Sequence, residues 1–473
     1  MTCTITQEEL VDLIDTYIEE HWEDVLGDIK RLVVIDSTDD TEHAQEGAPY
    51  GPGPKAALDE ALSIASGMGF ETRDCEGYVG YADFQGASNT QIGMIGHVDV
   101  VPAGTGWTYP VFDVSCVDGI LIGRGTIDDK GPSVVALHAM KILKDTGITW
   151  PYTLRMIFGT NEEVGMADLE YFLKNYPEPA FTFTPDAEFP VGYGEKGGYD
   201  GLFTSEALVE GRLLELEGGV AGNAVPSTAR ALVCAEGVDV ESLAHADYIK
   251  LSVTDAGIQV EAEGIGGHAS KPQNTRNAIA VLIDYLLKNN LCSTQERRFF
   301  EMVLPLLQDY TGALVGIDCA DEHFGPLTII GGTIKLEDAR IAQSIDIRYP
   351  TSISDKKLTQ IFSERACAVG ADFEVPLLMK PFLVDPQSGM IQALLSAYQE
   401  VTGDDSQPFT MGGGTYARHF KSAASFGPVY PHDTLPEWVG PEHGANEGVA
   451  EETLKRALKI YTLTLYKLMH LDL

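Results

Sequence analysis

Apolar residues recur at helical spacing near the start of the chain. Leu10, Leu13, Ile14, Tyr17 and Ile18 follow at intervals suited to one helix face, and Thr6 with Glu9 supplies a capping box, so an amphipathic helix is expected there. From about Pro54 to Asp186, helical segments (PKAALDEALSIASGMG and GPSVVALHAMKILKDTG) alternate with short apolar runs (QIGMIG, YTLRMIFGT and AFTFTPD), the pattern of an α/β sheet covered by helices. Pro132 at a helix start and Gly147 beyond its end punctuate the second of these helices. Between about Glu195 and Asp385 the texture changes to strands (RLLELEGG, GIQVEAEG, LTIIGGT and AQSIDIRYP) around helices (TRNAIAVLIDYLLKNN and DKKLTQIFSERACAVG), which indicates an inserted second domain. SGMIQALLSAYQEVTG then predicts a helix, and another starts at about Glu451. The expected organisation is a first domain from residues 1–194 and 386–473, interrupted by an insertion at 195–385.

Length supports this division, because 473 residues exceed what one hydrophobic core usually serves. Charge narrows the partners. Against 32 Lys plus Arg stand 71 Asp plus Glu, a net of −39, and such a field repels polyanions, so nucleic acid is not an expected partner. The seven cysteines, Cys3, Cys75, Cys116, Cys234, Cys292, Cys319 and Cys367, are odd in number, widely spaced and free of any CxxC, which argues against a disulfide frame or a thiolate zinc site. The first residues are acidic and amphipathic rather than basic and then apolar, and no apolar run approaches the roughly 18 residues needed to span a bilayer. A cytoplasmic protein without membrane contact is expected.

The chemistry gathers where the apolar runs end. His97 and Asp99 follow the first, Glu162 and Glu163 the second and Asp186 the third, and the carboxyl ends of strands are where open α/β sheets bind ligands. Each motif alone has an ordinary explanation. His97 could be a structural strand histidine, Asp128 and Asp129 in GRGTIDDKGP could cap the following helix, and Glu162 with Glu163 could form a solvated acidic loop. Together they supply what a pair of divalent metals requires: ligands for each ion, a carboxylate able to bridge, and an acid or base beside the reacting water. The two-residue spacing of His97 and Asp99 turns both side chains to one side of an extended strand end, where Asp99 can hold His97. His443 in PEHGANE completes the set if the last segment rejoins the first domain.

The five segments GHVDVVP, GRGTIDDKGP, GTNEEVG, TPDAE and PEHGANE, in this order and spacing, resemble the aminoacylase and carboxypeptidase G superfamily of co-catalytic metallopeptidases (peptidase family M20). The similarity runs from RLVVIDST to PEHGANE and is closest to the PepV-like dipeptidases, a branch that includes carnosine-cleaving enzymes. This resemblance implies an α/β fold: a mixed-sheet zinc-peptidase catalytic domain with an inserted, double-sized α+β lid domain. It implies that His97 and Asp186 hold one metal, that Glu163 and His443 hold the other, and that Asp128 bridges them. Asp99 would orient His97, and Glu162 would be the general base that takes a proton from water and passes it to the leaving amine. Two divalent ions are implied, zinc first, with manganese or cobalt also compatible with histidine and carboxylate ligands.

In the insertion, His268 in EGIGGHASKP resembles the family's lid histidine that stabilises the developing oxyanion. Asn223 in GNAVPSTA and Arg348 in IDIRYP stand where related dipeptidases grip the substrate backbone and its free carboxylate, which an Arg fork matches in plane. GGGTYARHF offers Gly412, Gly413 and Gly414 as a backbone cradle, with Thr415 and Arg418 for polar contacts. The insertion spans about 190 residues, the size implied for a double lid that provides His268 within the same chain, so a monomer acting on a small peptide substrate is expected. An N-acyl amino acid amidohydrolase, such as a succinyl-diaminopimelate desuccinylase, shares this chemistry and stays open, as does a non-catalytic metal- or peptide-binding protein. Against the last, no ligand position nor Glu162 is replaced.

Overall fold

The computed structural model describes residues 5–473, so Cys3 and the first residues of the N-terminal segment lie outside the described part. Within it the chain forms two compact units: one from residues 5–194, Leu383–Phe409 and Thr415–Leu473, the other from Glu195–Phe382 with the short segment Thr410–Gly414.

The first unit is built on a mixed sheet. Strands Gln91–His97, Thr153–Gly159 and Phe181–Thr184 run parallel, and Ala423–Ser425 adds a further parallel neighbour. Val79–Phe84 pairs antiparallel with Thr153–Gly159, and Glu71–Cys75 continues beyond it. The parallel strands are buried along almost their whole length. Covered on both faces, they read as continuous apolar runs rather than alternating ones.

Helices Gln7–Val33, Pro52–Gly67, Lys130–Asp145, Gly389–Thr402 and Glu451–Leu468 share the core with this sheet. The first opens with the capping box read from Thr6 and Glu9. Every residue from Lys130 to Met140 is buried, which makes Lys130–Asp145 a core helix and holds its first turn firmly. Each fully buried Leu or Ile in such a core contributes about 1.5–3 kcal/mol. A three-stranded sheet of Ser115–Val117, Ile120–Ile122 and Gly448–Ala450 ties the last part of the chain to the segment leading to Asp128. Strands of three residues leave almost no periodic signal, and sequence reading did not find them.

The second unit is an antiparallel sheet backed by helices. Its strands lie in the order Ile249–Thr254, Gly257–Glu263, Thr228–Val233, Leu213–Gly218, Ile334–Glu337, Arg340–Tyr349, Gly197–Thr204 and Asp372–Met379. Ala278–Lys288, Thr294–Gln308 and Asp355–Ala368 supply helical residues to its separate core. Thr294–Gln308 was not read from the sequence. It opens on a capping box of Ser293 and Glu296 but carries Pro305 in its last turn, a residue that ordinarily argues against a helix.

Candidate metal centre

The carboxyl ends of the parallel strands converge. His97 is the last residue of its strand and lies in register with Gly159, so the turn carrying Glu162 and Glu163 leaves the sheet beside it. Asp186 follows Phe181–Thr184 by two residues, and Asp128 and Asp129 precede Lys130–Asp145. Gly96 allows the close approach: a Cβ there would lie 1.9 Å from Ser133 Oγ and 2.3 Å from Asp129 Oδ2.

Asp128 stands between two imidazoles. His97 Nε2 is 3.0 Å from Asp128 Oδ1, and His443 Nε2 is 2.8 Å from Asp128 Oδ2 and 3.1 Å from Glu163 Oε2. Asp186 Oδ2 is 3.8 Å from His97 Nε2. Ligand atoms of His97, Asp128 and Glu163 all lie within 4.8 Å of one another, and so do those of His97, Glu162 and Asp186. His97 is fully buried, whereas the His443 side chain is 53% exposed.

Asp99 serves both His97 and the turn that follows the neighbouring strand. Its backbone carbonyl is 3.0 Å and its Oδ1 3.5 Å from His97 Nδ1, while the carboxylate accepts the amides of Glu162 at 3.2 Å and Glu163 at 3.1 Å.

Electrostatics show why a cation suits this place. Burial pushes the Glu162 carboxyl well above its ordinary range, reinforced by Glu163, Asp128 and Asp99 against the opposing His97. Burial and the Asp128 charge do the same to Asp186. Hydrogen bonds with Asp128 and Glu163 lift His443 to about 11. His97 rises too, since contacts with Asp128 and Asp99 outweigh a burial that would lower it. Protonated imidazoles thus balance the carboxylates where divalent charge could do so, and cation binding releases such protons. The donor set of imidazoles and carboxylates, without thiolate, fits a divalent ion of the zinc, manganese or cobalt type.

A family model for peptidase family M20/M25/M40 matches residues 93–467, which span every one of these groups. The chain belongs to this family. Its members use divalent metals to hydrolyse peptide bonds, and this chain is a hydrolase of that kind. A Beta-Ala-Xaa dipeptidase from Lactobacillus delbrueckii subsp. lactis is 31% identical over 464 residues, covering 94% of this chain and 96% of the relative. Among solved structures, the di-peptidase Dug1p from Saccharomyces cerevisiae matches with a TM-score of 0.60 at 14% identity, over 98% of this chain and 99% of that one. Human carnosine dipeptidase 1 gives 0.57 at 14% identity, over 98% and 100%. At such low identity the two structures establish the shared fold alone.

In this M20 peptidase the remaining sequence-derived positions are placed as follows. His268 stands on the short strand Gly267–His268 with much of its surface open, Nδ1 2.7 Å from Ser270 Oγ, and the partial burial of its ring together with the Arg348 charge lowers its proton affinity. Strand pairing of Ala224 with His268 sets Asn223 alongside, where its carbonyl accepts the Ala269 amide at 2.9 Å. Arg348 donates from Nε and Nη2 to the Asp346 carboxylate at 2.9 and 2.7 Å, and from Nη1 to the Gly412 carbonyl at 3.4 Å. Gly413 and Gly414 are partly buried. Thr415 is buried, and its hydroxyl accepts the Ala417 amide at the start of the short helix Tyr416–His419.

Several supporting residues escaped the sequence reading. Arg124 and Glu447, both fully buried, form an ion pair; Glu447 also accepts the Gly125 amide at 2.8 Å, and Arg124 donates to the His443 carbonyl at 3.2 Å. The pair clamps the His443 loop to the Asp128 loop, and removing one partner would strand a buried charge at a cost of about 3–5 kcal/mol. The Lys130 Nζ donates to the Leu32 and Ile35 carbonyls at 3.1 and 2.7 Å, and burial brings its pKa down to about 7. Asp129, which the sequence offered as a possible helix cap, is the N-cap residue but makes no side-chain cap bond; it accepts the His97 amide at 3.2 Å and the Ser133 hydroxyl at 3.0 Å instead.

One acid-sensitive group lies apart from the ligands. Burial, with Arg418 adding to it, lowers His419 from 6.5 to about 4, so the fold favours the neutral imidazole. This contribution to stability is complete above 6.5 and disappears as pH falls through about 4. Melting curves of wild type and His419→Gln from pH 7 to pH 4 are expected to converge on acidification, with the wild type losing more; parallel curves would refute this assignment.

Proposed function

We propose that this chain is a dipeptidase working through two metal ions, with Glu162 as general base. The observation that carries the reading is the division of Asp128, one carboxylate oxygen toward His97 and the other toward His443. Asp128 would bridge, His97 and Asp186 would complete one site, and Glu163 and His443 the other. Zinc is the first choice of ion, with manganese and cobalt as alternatives. When bound, the ions supply Lewis-acid polarisation of the scissile carbonyl and lower the pKa of water.

The chain's own groups do the rest. Glu162, whose burial favours a proton, accepts one from the attacking water and delivers it to the leaving amine. Asp99 keeps His97 in orientation and ties down the Glu162 and Glu163 amides. His268 is proposed to stabilise the oxyanion and Asn223 to hold the substrate backbone, with Gly413, Gly414 and Thr415 lining it. Arg348 is proposed to take the free carboxylate. Asp346 occupies the Nε and Nη2 edge of its guanidinium, and Nη1 faces the Gly412 carbonyl at 3.4 Å, the weaker contact that a substrate carboxylate would replace.

A dipeptide substrate is supported by the Beta-Ala-Xaa dipeptidase relative, and a monomer by the size of the insertion. All six described cysteines are free, in keeping with a reducing compartment such as the cytoplasm, and among the described residues no helix is long and apolar enough to cross a membrane.

The test is a panel of Ala-Ala, β-Ala-His, tripeptides and N-succinyl-diaminopimelate with added zinc, manganese or cobalt. Dipeptides are expected to be cleaved, and turnover of the succinyl compound alone would overturn the proposal. Chelation should abolish hydrolysis and metal should restore it. At an ion concentration of about 100 times Kd, each bound ion should also stabilise the fold by about 2.7 kcal/mol, readable as a rise in Tm.

A further inference from the structure

The turn that carries Glu162 and Glu163 is held through successive backbone amides by two buried carboxylates. Asp99 takes the amides of Glu162 and Glu163. Asp168 takes the two before them, Thr160 at 2.7 Å and Asn161 at 3.2 Å, both on Oδ2. The amides of residues 160–163 therefore all donate to side-chain carboxyl oxygens of Asp168 or Asp99.

Asp168 is itself immobilised. It is fully buried in the first turn of helix Ala167–Asn175, its Oδ1 accepts the Leu169 amide at 2.7 Å, and the Tyr416 hydroxyl donates to Oδ2. Tyr416 is equally buried. The pair fits only because residue 159 is glycine: a Cβ there would lie 1.9 Å from Tyr416 Oη and 2.7 Å from Asp168 Oδ2. Gly159 is the sheet partner of His97, so this packing lies directly at the strand end that starts the centre.

We infer that Asp168, braced by Tyr416, is a positioning residue that sets the Glu162–Glu163 turn and so decides which carboxylate stands as base and which faces the histidines. The inference rests on the proposed role of Glu162. Adjacent side chains leave a turn in different directions, and rotation of the intervening peptides would re-aim both carboxylates. Amides anchored on both sides of that point prevent such rotation. By its place in the first turn of Ala167–Asn175 alone, Asp168 would be an ordinary dipole partner.

The test compares Asp168→Asn and Tyr416→Phe with wild type and Glu162→Gln, on a dipeptide with metal in excess. Asp168→Asn is expected to lower kcat by about 10- to 100-fold, the cost typical of losing a supporting carboxylate. KM and metal bound per chain should stay within about twofold, because a turn set wrongly harms the reaction more than the binding. Tyr416→Phe, which removes one donor to Asp168, should lower kcat by a smaller factor in the same pattern. A folded Asp168→Asn protein with wild-type kcat and only a lower Tm would reduce Asp168 to a structural cap and overturn the inference. Metal loss in proportion to lost activity would overturn it too. If Asp168→Asn does not fold, wild-type kcat in Tyr416→Phe decides against the inference. Full activity in Glu162→Gln would instead remove the reading of Glu162 as base, whatever the Asp168 variant does.

Discussion

Glu162→Gln is expected to lower kcat for dipeptide hydrolysis by about 100- to 10,000-fold, the range that a positioned general base contributes. The substitution keeps the shape of the side chain and the backbone amide that donates to Asp99. It removes the ability to accept a proton. Metal content and KM should therefore change little, and equal losses in kcat and kcat/KM would mark an interaction made only in the transition state. Stopped-assay kinetics with metal analysis of the same sample check this. Loss of metal together with activity would show Glu162 to be a ligand, a role that its proximity to His97 and Asp186 makes a pointed alternative.

Asp128→Ala should have the larger effect, because its carboxylate faces both histidines. Loss of the bridge is expected to lower kcat by more than about 1,000-fold, corresponding to roughly 4 kcal/mol of barrier. Bound metal should fall to one equivalent or fewer, and the metal-dependent rise in Tm should shrink in step. The metal-free protein should also lose stability, because His97 and His443 are left without the carboxylate that faces both of them. Metal titration followed by thermal melts separates these effects. An Asp128→Ala protein that binds two ions and hydrolyses dipeptides would remove the proposed arrangement.

Much of the fold could be read in advance wherever the signal was local. Thr6 and Glu9 announced the first helix, and the run QIGMIG ending in His97 marked both a buried strand and its chemically active end. The candidate ligands stood out because each followed such a run or sat in a Gly-bounded turn. Supporting residues were hidden because their meaning depends on partners far along the chain. Arg124 and Glu447 are 323 residues apart, and only the fold shows that they clamp His443. Asp168 likewise acquires its role from Tyr416 and from the absence of a Cβ at Gly159. Lys130, which a composition rule would put at the surface, is buried because the Leu32 and Ile35 carbonyls offer it acceptors at the end of the first helix.

A crystal of the metal-loaded protein, measured at an absorption edge of the added ion, addresses the central claim most directly. Two anomalous peaks within about 4 Å of each other are expected, one toward His97 and Asp186, the other toward Glu163 and His443, with Asp128 touching both. A single peak, or a second one remote from His443, would contradict it.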